Sequence, residues 1–165
     1  MKKIHTTLLG LLLILISVFP LAAQLPKMIL SDIEGRKVDV STLVGQGRPV
    51  IISFFATWCK PCLMELSAIS EVYADWQEET NVRMLAISID KGSNSLRVKP
   101  LVRSRGWEYE VLLDPNEELK RHLGVVYLPT VFVYDTSGKE IYRHTGYSSG
   151  SEEELIQAIR KSKKQ

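Results

Sequence analysis

A continuous apolar run leads directly into two closely spaced cysteines. Val50 to Ala56 carries a single polar side chain, and Cys59 and Cys62 follow in the order Trp58-Cys59-Lys60-Pro61-Cys62. An apolar run without alternation is typical of a strand that is covered on both faces of a sheet. From Cys59 onward the apolar residues recur with helical spacing. We therefore predict a buried strand, followed by a helix that starts at the cysteine pair and ends near Glu79.

The other segments predict an alternation of strands and helices. Two apolar patches on either side of Glu34-Gly35 indicate a hairpin over residues 28–40. Further strand patterns cover 82–89, 109–113, 130–134 and 140–144, and helix patterns cover 95–105, 115–124 and 151–161. Crossover helices imply parallel strands, and a closing hairpin implies an antiparallel pair. The expected fold is α/β with three layers: a mixed central sheet, helices on both faces and an N-terminal β-hairpin extension.

Three local details accompany these helices. Leu96 is expected to point inward from the helix over 95–105. Asp114 is expected to cap the next helix, with Pro115 at its first position. Ser151 is expected to cap the last helix through a capping box with Glu154.

The composition bounds the function. A chain of 165 residues, with 45% apolar and 24% charged residues, suits one globular domain and is too short for an enzyme with a separate cofactor domain. The formal net charge of +2 gives no basic excess, so a nucleic-acid partner is not expected. Two cysteines are too few for a disulfide-rich miniprotein, so another reason is needed for the pair.

The first 23 residues have the layout of a secretory signal. Lys2 and Lys3 form a basic head, an apolar stretch runs from Leu8 to Phe19, and small residues at Ala22-Ala23 suit cleavage. As a helix, that stretch spans about 18 Å, well short of the roughly 30 Å of a bilayer core. We predict cleavage after Ala23, which leaves one domain over residues 24–165 in the periplasm or cell envelope.

Retention of this segment as an N-terminal anchor is the alternative, and it would need the whole stretch from Ile4 to Ala23. Lys2 and Lys3 are the only acidic or basic residues, apart from one histidine, before the cleavage point, so the mature chain has 19 basic and 19 acidic residues. The exported protein is therefore expected to carry no net charge. Export would also place the cysteine pair where disulfide bonds form and persist.

The residues around the cysteine pair favour thiol chemistry. A helix N-terminus stabilises a thiolate at Cys59 through its partial positive charge and free N–H groups, and Lys60 adds a formal positive charge. Pro61 fits the first helical turn, where its missing N–H costs nothing. Trp58 supplies an aromatic surface beside the nucleophile. We predict that Cys59 attacks a substrate disulfide and that Cys62, one turn later and more buried, resolves the mixed disulfide.

Three other interpretations of the pair remain open. A structural disulfide is possible, although so short a loop restrains little entropy of the unfolded chain. A metal site would need further ligands, and the nearest candidates, His122 and His144, lie far away in sequence. The cysteines can also be buried and inert.

The sequence resembles the thioredoxin superfamily, and within it the exported thioredoxin-like proteins of the TlpA/ResA type. The resemblance covers roughly Leu30 to Arg160. It rests on the apolar run with its cysteine motif (Val50 to Cys62) and on two later segments, Leu113-Asp114-Pro115 and Leu128-Pro129-Thr130. It implies a thioredoxin-like fold, a protein thiol-disulfide oxidoreductase activity, no cofactor and a monomer.

The resemblance also assigns roles beyond the cysteines. In this family the later proline is cis and faces the redox pair, a role that falls to Pro129. A cis proline leaves the preceding backbone open to an extended peptide, so Leu128 and Pro129 are expected to dock substrate. Trp58, Lys60 and Pro61 are expected to line the same docking region.

One departure from the family concerns proton transfer. Many thioredoxins carry a buried aspartate six residues before the first cysteine, but this chain has Ser53 there, and a hydroxyl cannot act as a carboxylate base. Some exported relatives instead carry an acid three residues after the second cysteine, and Glu65 occupies that position. We predict that Glu65 handles the proton of Cys62, with a solvated early-helix glutamate as the alternative. His122, His144 and Asp90 are expected at the surface.

Two further classes of function remain beside a reductase. The first is a net oxidant or disulfide isomerase, and the second is a non-enzymatic metal- or partner-binding module on the same scaffold. For the reductase, the resemblance implies disulfide-containing exported proteins as clients, with cytochrome c maturation as one setting, and a membrane thiol-shuttle protein as electron donor.

Overall fold

The computed structural model describes residues 25–164, so the predicted signal segment lies outside the described residues. Seven strands are present: β1 (Ile29–Asp32), β2 (Lys37–Asp39), β3 (Val50–Phe55), β4 (Arg83–Ser88), β5 (Glu110–Leu113), β6 (Thr130–Tyr134) and β7 (Glu140–Thr145). The helices are α1 (Lys60–Thr80), α2 (Val98–Arg105), α3 (Glu118–His122) and α4 (Glu152–Ser162), with short 3-10 segments at Val40–Thr42 and Gly92–Arg97.

The strands form one mixed sheet in the order β2-β1-β5-β4-β3-β6-β7. Strands β3, β4 and β5 are parallel neighbours, whereas the two flanking hairpins, β1–β2 and β6–β7, are antiparallel. The predicted mixed sheet and N-terminal hairpin are confirmed.

The centre of the sheet is covered on both faces. Every residue of β3 and of β6 is buried, as is every residue of β4 except the first. Helix α1 packs against α4 and over β3 and β4. The Tyr109 hydroxyl, just before β5, donates to the Leu66 carbonyl of α1 at 3.0 Å. The core thus holds the buried face of α1, the helix whose first turn contains the cysteine motif.

Three local expectations are wrong. Leu96 is 76% exposed, because residues 92–97 form a 3-10 turn that carries it outward. Helix α3 begins at Glu118 rather than Pro115, although the buried Asp114 carboxylate still accepts from the backbone N–H groups of Glu118 and Lys120. The Ser151 side chain makes no capping hydrogen bond, since its backbone is already helical.

Among residues 25–164, no helix is both long enough and apolar enough to cross a membrane.

Candidate active site

The cysteine pair forms the first turn of α1. Cys59 is the N-cap residue, its sulfur accepts from the Cys62 backbone N–H at 3.4 Å, and Pro61 lies in the first turn. The two sulfurs are joined in a disulfide, with the Cα atoms 5.3 Å apart. Cys59 retains 6% of its surface and Cys62 none. The predicted difference in burial is confirmed, and it leaves Cys59 as the more accessible residue of the pair.

Asp90 anchors the loop before the cysteine pair through hydrogen bonds. This carboxylate, 1% exposed and two residues after the end of β4, accepts from the backbone N–H and the hydroxyl of Thr57 at 2.8 and 2.7 Å. Ser88 donates a third hydrogen bond at 2.8 Å. The expectation of a solvated turn at Asp90 is wrong, because parallel pairing of β3 with β4 brings the ends of both strands together. Asp90 thereby fixes the segment that carries Trp58 and Cys59.

Residues next to the cysteines along the chain are exposed. Trp58 is 66% exposed, and Lys60 and Pro61 are also exposed. The peptide bond between Leu128 and Pro129 is cis, as the resemblance implies.

The turn before the cis bond presents further apolar surface. Val126 and Tyr127 are each 72% exposed, and the Thr130 hydroxyl donates to the Tyr127 carbonyl at 2.8 Å. The Pro129 carbonyl accepts from the Gly146 N–H at 2.8 Å, which ties this turn to the end of β7. Docking of substrate by Leu128 and Pro129 stays a prediction.

Glu65 is completely buried one helical turn after Cys62. Its carboxylate accepts from the Ser53 hydroxyl at 3.2 Å and lies 2.7 Å from Nε2 of His144. The alternative of a solvated early-helix glutamate is therefore wrong. The acid is held by α1 rather than by β3, and the serine that replaces the family's strand aspartate is its hydrogen-bond donor.

The sheet register explains how these side chains meet. Ser53 of β3 pairs with Val131 of β6, which in turn pairs with His144 of β7. Directly paired residues share a face of the sheet, so Ser53 and His144 face the same side, two strands apart. Glu65, on the helix above that face, contacts both.

His144 was expected at the surface, and that expectation is wrong. Its side chain is 13% exposed, and its Nδ1 atom is buried without a hydrogen-bond partner within the described residues. Alternation along β7 carries the missed signal, because His144 shares a face with the half-buried Tyr142 and not with the exposed Arg143. His122, by contrast, is exposed as expected.

Tyr109 borders the buried acid. Burial, followed by the negative charge of Glu65, raises the pKa of the Tyr109 phenol far above its usual range. The phenol therefore stays protonated and keeps its hydrogen bond to the Leu66 carbonyl. Within the described part of the chain, no cluster of three or more His, Cys, Asp or Glu residues has the arrangement of a metal site.

Comparisons with known proteins agree with this geometry. The model of the AhpC/TSA family matches residues 21–142. The thiol-disulfide oxidoreductase ResA of Bacillus thuringiensis subsp. konkukian is 30% identical over 138 residues, which is 84% of this chain and 76% of that protein. The ResA protein of Bacillus subtilis is 29% identical over 121 residues, 73% of this chain and 65% of that protein.

Solved structures show the same fold. The solution structure of a thioredoxin-like protein from Porphyromonas gingivalis is 57% identical, with a TM-score of 0.74, and the match covers 84% of this chain and 91% of that one. A secreted disulfide oxidoreductase of Mycobacterium tuberculosis has a TM-score of 0.68 at 19% identity over 82% of this chain and 96% of that one, which shows the fold alone. With its redox pair at the start of α1, the chain belongs to the thioredoxin-like AhpC/TSA family and is a thiol-disulfide oxidoreductase related to ResA.

Proposed function

We propose that this oxidoreductase reduces disulfide bonds of exported proteins, with Cys59 as the attacking sulfur and Cys62 as the resolving one. The observation that carries the proposal is the asymmetry of the pair. Cys59 caps the helix and keeps some exposed surface, whereas Cys62 has none. A helix N-terminus favours the thiolate form of the residue that caps it.

The reaction runs through a mixed disulfide. The Cys59 thiolate attacks one sulfur of the client disulfide, a bond forms between the two sulfurs, and the second client sulfur leaves as a thiolate. Cys62 then loses its proton and attacks Cys59, and the first client sulfur leaves in turn. Both client thiolates take protons from solvent. Two electrons have passed to the client, and the protein now holds the Cys59–Cys62 disulfide.

We assign to Glu65 the role of accepting the thiol proton of Cys62 when Cys62 attacks. The two residues are three positions apart on α1, which brings their side chains to neighbouring positions on the helix, and both are completely buried. Glu65 thus supplies the base that Ser53 does not.

The exposed surface around the pair suits an extended peptide. Trp58, Lys60 and Pro61 border one side of the redox pair, and Leu128 and Pro129 are assigned to the other. A client segment would lie along the backbone before the cis proline and present its disulfide to Cys59. The exposed Trp58 gives that segment an apolar contact.

The setting follows from the amino-terminal residues. The signal layout of residues 1–23 supports export to the periplasm or cell envelope, where a reductase works against an oxidising environment. We also propose that the protein acts as a monomer and receives electrons from a membrane thiol-shuttle protein. Its clients are disulfide-containing exported proteins, among them those of cytochrome c maturation.

Two measurements test this direction of electron flow. Reduction of insulin with dithiothreitol as donor should be catalysed by the wild-type protein and abolished in Cys59→Ser. The reduction potential of the pair should lie nearer that of thioredoxin, about −270 mV, than that of the strong oxidant DsbA, about −120 mV. A potential close to the oxidant would instead make the chain a net oxidant or isomerase. A folded protein with no turnover would reject the proposal.

A further inference from the structure

The buried Glu65 leads to a histidine whose second nitrogen has no partner. His144 contacts the Glu65 carboxylate through Nε2 at 2.7 Å, while its Nδ1 is buried and makes no hydrogen bond within residues 25–164. An unsatisfied polar atom in a well-packed region calls for a physical reason. A structural link between α1 and β7 would explain the Nε2 contact but not the other nitrogen.

A pocket of about 360 Å³ borders the same histidine. Thr145, Ser148 and Glu154 of its lining are exposed, so the pocket reaches solvent, whereas Tyr147, Ser151 and His144 are half-buried. The Ser151 hydroxyl, like His144 Nδ1, is buried without a hydrogen-bond partner in the described chain. His144 and Ser151 thus each bring a polar atom without a hydrogen-bond partner in the described chain to the residues that line this pocket.

We propose that His144 is a relay that carries the proton of Cys62 from Glu65 to solvent through this pocket. The inference rests on the proposed exchange between Cys59, Cys62 and a disulfide, and it assigns the route by which the proton leaves. Such a route has a function because Cys62 and Glu65 are completely buried and have no direct access to water.

The cycle starts from the reduced protein, in which the neutral His144 carries its proton on Nδ1 and its Nε2 is free to accept one. When Cys62 attacks Cys59, its thiol proton passes to the Glu65 carboxylate. The Glu65 proton passes to Nε2 of His144, and the proton on Nδ1 leaves to water in the pocket. The histidine then carries its proton on Nε2, where it donates to Glu65. Reduction of the disulfide by an electron donor runs the same transfers backward, which returns one proton to Cys62 and the histidine to its first tautomer.

The other ionisable groups around His144 do not take over this role. Burial, followed by the nearby Glu154, raises the pKa of Tyr142 to about 12. Burial, followed by Glu152 and then other acids that include Glu65, raises the pKa of Tyr147. Both phenols therefore stay protonated at neutral pH. Glu154 is exposed and accepts from the Tyr142 hydroxyl.

The test follows the oxidation of the reduced protein by glutathione disulfide, with the fluorescence of Trp58 beside the pair as the signal. At low glutathione disulfide the rate reports the attack by Cys59 and rises in proportion to concentration. At high concentration the rate reaches a plateau set by the resolving step of Cys62. A proton relay for Cys62 acts on the plateau and leaves the initial slope unchanged.

Two variants separate a relay from a structural link. In H144Q the amide can still donate to Glu65 but cannot carry a proton, so we expect the plateau to fall about a hundredfold, the lower end of general acid–base effects. In H144A, imidazole in the buffer should restore the plateau in proportion to its concentration. The matched control is H122Q, which alters an exposed histidine of α3 and should match the wild type throughout.

Each outcome decides the inference. A plateau that falls in H144Q with an unchanged slope, together with imidazole rescue of H144A, supports the relay. A wild-type plateau in H144Q overturns it, and so does a loss that imidazole does not restore in a folded H144A protein. Measurements on the wild-type protein keep the two proposals apart. If it fails to reduce insulin but is oxidised normally by glutathione disulfide, the proposal that it reduces exported proteins is rejected. The relay is then still tested by the His144 variants.

Discussion

Replacement of Asp90 by alanine should destabilise the fold at the base of the cysteine loop. Asp90 accepts three hydrogen bonds, two from Thr57 and one from Ser88, at 2.7 to 2.8 Å. Each hydrogen bond to a charged group contributes about 1.5 to 3 kcal/mol. Thr57 is partly exposed, and water can replace part of what it loses. We therefore expect D90A to lower the free energy of unfolding by about 3 to 4 kcal/mol, below the simple sum.

Asparagine at the same position provides the matched comparison. An asparagine oxygen can accept from the Thr57 N–H and from Ser88, and its amide can donate to the Thr57 hydroxyl, whose proton rotates freely. D90N therefore keeps the three contacts and loses only their charge assistance, at a cost of about 1 kcal/mol. The difference between the two variants isolates the hydrogen bonds from the charge.

Urea unfolding of the oxidised protein measures both effects, with the slope of the transition as a check on two-state behaviour. D90A should also slow the attack of Cys59 on glutathione disulfide, because Thr57 belongs to the loop that positions it. If D90A costs less than about 1 kcal/mol, or no more than D90N, then Asp90 does not anchor this loop and the structural argument is wrong.

Two further predictions concern single carboxylates. E65Q removes a buried negative charge, so the curve of Cys59 alkylation against pH in the reduced protein should move to lower pH and resolution by Cys62 should slow. E71Q, which alters an exposed glutamate on the same helix, is the control. An alkylation curve and a resolution rate that both equal wild type in E65Q would refute a role for Glu65. Burial works to raise the pKa of Asp32, but hydrogen bonds from Arg36 and from the Glu34 N–H outweigh it and hold that pKa below its usual value. The stability that Asp32 contributes is thus present above about pH 4 and lost as the pH falls through its lowered pKa. The Tm of wild type should exceed that of D32N at pH 7, with a gap that closes toward pH 2, and a constant gap would contradict this.

Much of the fold could be predicted because local patterns encode it. The apolar run of Val50 to Ala56 and the helical spacing after Cys59 fix the central strand and helix α1 without reference to the rest of the chain. The prediction that Leu96 points inward was wrong because a 3-10 turn and an α-helix share apolar spacing over so few residues. The predicted start of α3 was wrong because Asp114 lies further before the helix than a standard N-cap residue, although its carboxylate still accepts from N–H groups of the first helical turn.

The polar part of the site depends on contacts between distant segments. Glu65 could be singled out because its distance from Cys62 along the helix is a local quantity. Alternation along β7 could mark His144 as half-buried, but its contact with Glu65 could not be predicted, since that contact depends on the register of β3, β6 and β7 and joins residues 79 positions apart. Asp90 failed for the same reason, because only the parallel pairing of β3 and β4 brings it to Thr57.

The central claim is that Cys59 attacks and Cys62 resolves, and a trapping experiment tests it most directly. Reduced C62A and C59A are each mixed with insulin, and the mixed disulfides are located by mass spectrometry of peptides. C62A should accumulate a stable adduct through Cys59, whereas the completely buried Cys62 of C59A should react far more slowly. An adduct that forms faster through Cys62 in C59A would contradict the assignment.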